Sequence, residues 1–481
     1  NRCCEDFTAE NSRYYSPYVP VFQSSMWGKS RMLVQTLQRQ CYGLYLCVRQ
    51  DGQSTGFPET TRLFYEYIRH NPSEGHYLAL VFAAIYHLEL WIEDREKSCK
   101  PKTCIEWYKH QQQLSSQRDI TSTAKKIAED CWAPLAKTKH DDVFLGRLEM
   151  RHLNSVFQKP HQAMPDVRSL DEFWGTIQAA VHKFLHRTKL HPKTGRSIKC
   201  KFLLVIDEAR SLLNGSDQKS EVEAAVTNAP FFRMRRVWGA YAPHGFFAVF
   251  TDTISKISNF APALHVDPSL RYKKEQPRVL LFAPFFEILN CDITLLASDT
   301  SRQAFKPNDS TSFMDAMDRR RLLSFGRPFW RQWFESTKAA NKEAEARYIA
   351  QLIDVAGSKL AGGVPDNSQI SLAKPEVAIA VFACIAHLSV DPASDMASQL
   401  VGSHMATCIG ISEDRQRLLV TYSSEPLLAA AAAYLLHKFD ADWSNALEAL
   451  HSQISVATVS AGESGELVAR LLLLRASQRL Q

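Results

Sequence analysis

Hydrophobic residues fall into short dense runs set between longer stretches of helical periodicity. Residues 201–206, 246–250 and 278–282 have the length and β-rich composition of buried strands, and each leads through polar residues into a helical pattern. Two earlier runs, 18–22 and 42–48, flank a helical segment from about Lys29 to Gln40. Strands alternating with helices predict an α/β domain whose parallel sheet is covered on both faces.

Between the second and third strands, residues 50–198 carry helical periodicity and little strand signal, which predicts a long helical insertion. Its clearest helices are 61–93 and 170–189, and the polar stretch 94–126 reads as an excursion from the core. After residue 325 strand signals become rare. Residues 331–360 read as one charged amphipathic helix and 357–375, with Gly362, Gly363 and Pro365, as a linker. The rest, 376–481, reads as mainly helical, with one hairpin at 406–422. The expected organisation is an α/β domain over 1–330 followed by a helical C-terminal domain over 331–481. The longest apolar runs, 77–86 and 377–386, fall short of the roughly 18 to 20 residues a bilayer span requires, so no membrane span is expected.

Chemistry enters where the first strand meets the first helix, at Gln23, Ser24, Ser25, Met26, Trp27, Gly28, Lys29 and Ser30. A phosphate-binding loop is Gly-x-x-x-x-Gly-Lys-Ser/Thr. Its backbone N–H groups wrap phosphates, its lysine neutralises the β- and γ-oxygens, and its hydroxyl ligates Mg²⁺. Gly28, Lys29 and Ser30 match; Gln23 stands where the first glycine belongs and Met26 where many loops carry another. The alternative for a bare Gly-Lys-Ser is a surface helix start. Its position after a strand and at a helix N-terminus favours anion binding.

A second element follows in order. Residues 202–206 form an apolar strand that ends in Asp207 and Glu208, the arrangement of a Walker B element, in which the Asp organises the Mg²⁺ shell and the Glu polarises the attacking water. The alternative is a strand followed by an acidic helix cap. The run 246–250 leads into Thr251, Asp252 and Thr253, where Thr251 is the candidate to touch the γ-phosphate or the lytic water. Arg327, after Gly326 and before Pro328, is a candidate to reach the phosphates through its fork of donors; turn and cap roles are the alternatives for both.

This set resembles the ASCE class of P-loop ATPases, which includes AAA+ proteins and STAND signalling ATPases. Four phrases are similar to the ATPase modules of fungal and oomycete Crinkler-type proteins: Trp27-Gly-Lys-Ser-Arg31, Leu204-Val-Ile-Asp-Glu-Ala209, Gly326-Arg-Pro-Phe-Trp330, and Tyr422-Ser-Ser-Glu-Pro-Leu427 with Gly465-Glu-Leu467. The resemblance implies ATP held by Ser24, Ser25, Met26, Trp27, Gly28, Lys29, Ser30 and Arg31, Mg²⁺ organised by Ser30 and Asp207, and water activated by Glu208, with Lys29, Thr251 and Arg327 assisting. It implies a nucleotide-gated switch with protein partners on the helical C-terminal domain and a capacity to self-associate. The rival expectations are a pseudo-ATPase interaction module and an effector that binds nucleic acid.

Composition bounds the rest. With 481 residues, 45% hydrophobic and 22% charged, the chain is ordinary globular material of two or three domains. Lys and Arg exceed Asp and Glu by 57 to 51, too slight an excess to imply a nucleic-acid partner by itself. A basic tract over 181–201, together with Arg233, Arg235, Arg236 and Arg319 to Arg321, reads either as a solvated face or as a phosphate-contacting patch. His182 and His186 read as one face of that tract rather than as a zinc pair. Eleven cysteines, most of them within apolar stretches, point to reduced thiols and an intracellular, soluble protein of nucleus or cytoplasm. The chain opens at Asn1, as a fragment or processed form would.

Overall fold

The structure, a computed structural model, describes residues 3, 6, 14–49, 59–70, 74–99, 103–131, 200, 202–213, 229–241, 245–252, 280–288, 322–323, 325–337, 342–364, 369–422, 425–439, 442–460 and 464–479. The expected helix 170–189, every basic residue of the tract 181–201, His182, His186, Thr253 and Arg319 to Arg321 lie outside them. The chain divides into two compact units, one of Asn1–Pro20, Ser30–Thr251 and Leu264–Ala283, the other of Val21–Lys29, Asp252–Ala263 and Pro284–Gln481.

The first unit is built on a four-stranded parallel sheet in the order β1-β4-β3-β2. Its strands are β1 (Tyr18–Phe22), β2 (Tyr42–Cys47), β3 (Phe202–Asp207) and β4 (Phe246–Asp252). Helix α1 (Lys29–Arg39) joins β1 to β2. Strands β2, β3 and β4 are buried at every position, as expected of a parallel sheet with both faces covered. The register sets Cys47 beside Asp207 and Asp207 beside Thr251. The expected strand at 278–282 is a correction: residues 280–285 make only isolated parallel bridges, Tyr14 to Leu280 and Val21 to Phe285. Pro284 lacks the N–H that a continuous ladder needs.

Helices α2 (Arg62–His70), α3 (Glu74–Lys97), α4 (Cys104–Gln111) and α5 (Leu114–Cys131) follow β2, and α6 (Pro230–Tyr241) precedes β4. Helix α3 is apolar nearly all round, with Tyr77 through Ile85, Leu88 and Trp91 buried, because α5 and α6 pack against it. Its stretch Gly75–Arg95 is long and apolar enough to cross a membrane by composition, but 72% of the window is buried inside the fold.

The stretch 94–126 is a second correction, because α4 belongs to the core. Strand β2 is an edge strand, and its outward backbone groups need partners. Gln111 supplies them, its Oε1 accepting from Tyr45 N–H at 2.8 Å and its Nε2 donating to the Gly43 carbonyl at 2.9 Å. Trp107 Nε1 donates to the same carbonyl at 2.7 Å. Both side chains are buried.

In the second unit, 331–360 is not one helix. Helix α7 (Pro328–Ser336) ends at the Thr337 cap, and α8 (Lys342–Leu360) begins anew. Helix α8 runs through Gly357, so the expected linker is shorter than 357–375, and the chain turns at Gly362 and Gly363. Helices α9 (Pro375–Ala386) and α10 (Asp395–Ser403) lead to an antiparallel hairpin, β5 (Thr407–Ile411) with β6 (Leu418–Thr421), within the expected span 406–422. Helices α11 (Pro426–Lys438), α12 (Trp443–Ser455) and α13 (Ser464–Arg479) complete it. The alanine run sits in α11, which packs on α8 and α9. Leu352, Leu360, Phe382, Leu400, Leu435 and Leu450 mark the core.

Candidate functional site

The residues singled out from sequence fall at the ends of β1, β3 and β4, apart from Arg327, which caps α7. Residues 23–28 connect β1 to α1, so Lys29 and Ser30 open a helix whose first free N–H groups and dipole favour an anion. Gly28 has φ of +84°, which glycine adopts without penalty. Met26 also has positive φ, 67°, where a side chain costs about 1–2 kcal/mol. Position 26 therefore has the backbone shape that a glycine would take.

Gln23 is a buried clasp. Its Nε2 donates to the Cys408 carbonyl at 3.0 Å and to the Phe286 carbonyl at 3.2 Å. Its Oε1 accepts from Cys408 N–H at 2.9 Å and from Ser24 N–H at 3.0 Å. The amide thus pairs with β5 as a neighbouring strand would, a role no glycine fills. Lys29 is buried too, its Nζ donating to the carbonyls of Gln23 at 2.6 Å and Ser24 at 2.9 Å. Ser30 is half-buried and Arg31 exposed.

Arg327 binds the loop. Nη1 donates to Ser24 Oγ at 2.6 Å and to the Ser25 carbonyl at 2.8 Å, and Nη2 donates to the Met405 carbonyl. Nε lies 3.1 Å from both carboxylate oxygens of Glu425, and both side chains are sealed from solvent. Trp330 Nε1 donates to the same carboxylate at 3.2 Å. A Cβ at Gly326 would lie 2.2 Å from Glu425 Cγ, so only glycine fits. Trp27 stacks over the guanidinium, 5.5 Å from ring centroid to Cζ. Every N–H group of Arg327 that these bonds use faces protein, which makes the arginine a support of the loop in this structure.

In the first unit, Asp207 is buried at the end of β3. Its Oδ1 accepts the N–H of Glu208 at 3.0 Å and its Oδ2 the phenol of Tyr45 at 2.5 Å. Burial first, then the neighbouring carboxylate, pushes the Tyr45 phenol far above its ordinary value, so it remains a donor. The same two causes raise Tyr108 to about 12. Glu208 adopts the left-handed conformation, φ 57° and ψ 42°. Its carboxylate faces Arg49 at 3.7 Å and Arg210 at 3.8 Å. Thr251 is buried beside Asp207, and its hydroxyl makes no hydrogen bond among the described residues.

Residue patterns did not point to Glu425, Met405, Tyr45 or Arg49. Glu425 carried one signal, an acid before Pro426 at the head of an apolar run. The phrases around Arg327 and Glu425 meet here as one ion pair.

No curated protein matches the chain, and neither does any solved structure. The profile of a domain of unknown function, DUF8736, matches residues 367–481. A second profile, Domain of unknown function DUF8735, matches residues 4–144 and 147–288, more than half of the chain, and the protein belongs to that family.

Proposed function

We propose that the protein is an ATP-binding, Mg²⁺-dependent ATP-hydrolysing switch of the ASCE type, as its resemblance to Crinkler-type ATPase modules implies. The observation that carries the reading is the strand order. Strand β1, which leads into the loop, and β3, which ends in Asp207 and Glu208, flank β4, which ends in Thr251 and Asp252. In a parallel sheet the carboxyl ends share one edge, where ligands of open α/β sheets bind.

The roles follow from residue chemistry. Backbone N–H groups of the loop and of the first turn of α1 bind phosphate oxygens, and the Lys29 amine leaves its loop carbonyls to neutralise them. The Ser30 hydroxyl and the Asp207 carboxylate are hard oxygen donors of the kind Mg²⁺ takes, and each Asp207 oxygen retains a lone pair beyond its present hydrogen bond. Ser30 and Asp207 would hold Mg²⁺, which would supply neutralisation of phosphate charge. Glu208 orients water once its carboxylate turns from Arg49 and Arg210, and the Thr251 hydroxyl is free to bond the γ-phosphate or that water. Arg327 and Trp27 hold the loop in shape.

A second reading, nucleotide binding without turnover, rests on Glu208 being flanked by two arginines. The assay that tests the first reading separates the two. Titration with a fluorescent ATP analogue and phosphate release are measured for the parent, Lys29→Ala and Glu208→Gln. The proposal expects Lys29→Ala to bind at least about tenfold more weakly and Glu208→Gln to bind normally without turnover. A parent that binds but releases no phosphate supports the second reading. Equal binding by parent and Lys29→Ala overturns both.

A further inference from the structure

We propose that Gln23 and the Arg327–Glu425 pair are positioning residues that set the shape of the phosphate loop, so that their anchors at Met405 and Cys408 determine its competence for nucleotide. The inference rests on the phosphate-loop reading and adds positioning residues to it.

Lys29 braces the start of the loop from within, through the Gln23 and Ser24 carbonyls, yet two features work against its shape. Met26 sits in a left-handed conformation that a side chain disfavours, and Gln23 replaces a glycine. External bonds offset this. Gln23 makes two hydrogen bonds to the backbone of Cys408, which no residue without an amide side chain reproduces. Arg327 holds Ser24 and Ser25 through one nitrogen and Met405 through another. Ser25 Oγ adds a contact to Met405 Sδ at 3.2 Å. Met405 has positive φ as well, 66°, so the loop at Met26 and its support at Met405 each hold one disfavoured backbone conformation. Glu425 neutralises the arginine, its two oxygens sharing the one Nε–H donor.

Gln23 is therefore no worn-out remnant of a glycine, and the two readings predict opposite results. If position 23 simply lacks a glycine, Gln23→Gly restores the motif and tightens nucleotide binding. If Gln23 is a clasp, Gln23→Gly releases the loop and weakens binding about tenfold or more.

The experiment uses the full chain, with binding of a fluorescent ATP analogue measured well below the unfolding midpoint and hydrogen exchange followed over residues 22–30 and 202–207. The expected result is weaker binding by Gln23→Gly, with faster exchange confined to 22–30. A role in general stability would speed exchange in both segments and leave the affinity of the folded protein unchanged, which would overturn the proposal. So would tighter binding by Gln23→Gly. Should Gln23→Gly not fold, Ser24→Ala, which removes one acceptor from Arg327, is expected to act in the same direction with a smaller change; unaltered affinity and exchange there overturns the inference. If the parent binds no nucleotide, the phosphate reading falls. The clasp is then judged by exchange alone: faster exchange over 22–30 sustains it, and equal exchange removes it.

Discussion

At the scale of single residues, the cost of the Arg327–Glu425 pair lies in its burial. Two charges with essentially no exposed side-chain surface have given up their hydration, and the bonds to Trp330, Ser24, Ser25 and Met405 offset that loss. Removing one partner strands the other. Glu425→Ala is expected to lower the unfolding free energy by about 3–5 kcal/mol, and the double variant Arg327→Met with Glu425→Leu to recover most of it. Urea titrations of the three proteins check this. A loss below about 1 kcal/mol for Glu425→Ala would show that the pair is not sealed from water. These contacts were hidden in the sequence for a physical reason. A glutamine at a glycine position reads as a loss until its partner is known, and that partner, Cys408, is 385 residues away. The conformations of Gly28 and Lys29, by contrast, are local matters, and a strand, a glycine and a helix start announce them.

Among elements, edge and centre behave differently. Strands β1 to β4 were legible because a buried parallel strand is a short apolar run with polar ends. Helix α4 was not, since Trp107 and Gln111 serve β2 through one turn of side chains inside a polar sequence. Amphipathic reckoning sees Gln111 as surface. Its amide instead completes the edge of the sheet at Tyr45 and Gly43, and Tyr45 in turn holds Asp207. Gln111→Leu keeps the volume roughly and leaves the Tyr45 N–H buried without its acceptor. Such a loss costs about 1–3 kcal/mol. The midpoint of denaturant unfolding should fall accordingly with the slope unchanged, whereas a shift under about 0.5 kcal/mol, the range of ordinary surface changes, would mean that β2 needs no such cover.

At the scale of the whole chain, family boundaries and packing boundaries disagree. The two profiles end at residue 288 and begin at 367, which leaves α7 and α8 outside both and invites the reading of a connector. Packing argues otherwise. Leu352, Ala356 and Leu360 of α8 are buried in the same core as α9 and α11, and a Cβ at Gly357 would meet the Leu435 side chain at ordinary van der Waals distance. A connector would tolerate truncation of its side chains, while a core helix leaves a cavity when it loses one. Leu360→Ala in the full chain is therefore expected to cost about 2–5 kcal/mol, comparable to Leu435→Ala inside the matched region. The measurement is the chemical unfolding of both variants beside the parent. If Leu360→Ala costs less than about 0.5 kcal/mol while Leu435→Ala costs several, α8 is a tether after all. If the two agree, the C-terminal half folds from residues ahead of the profile boundary, and the Met405–Glu425 segment that grips the loop draws its rigidity partly from a helix that neither profile includes.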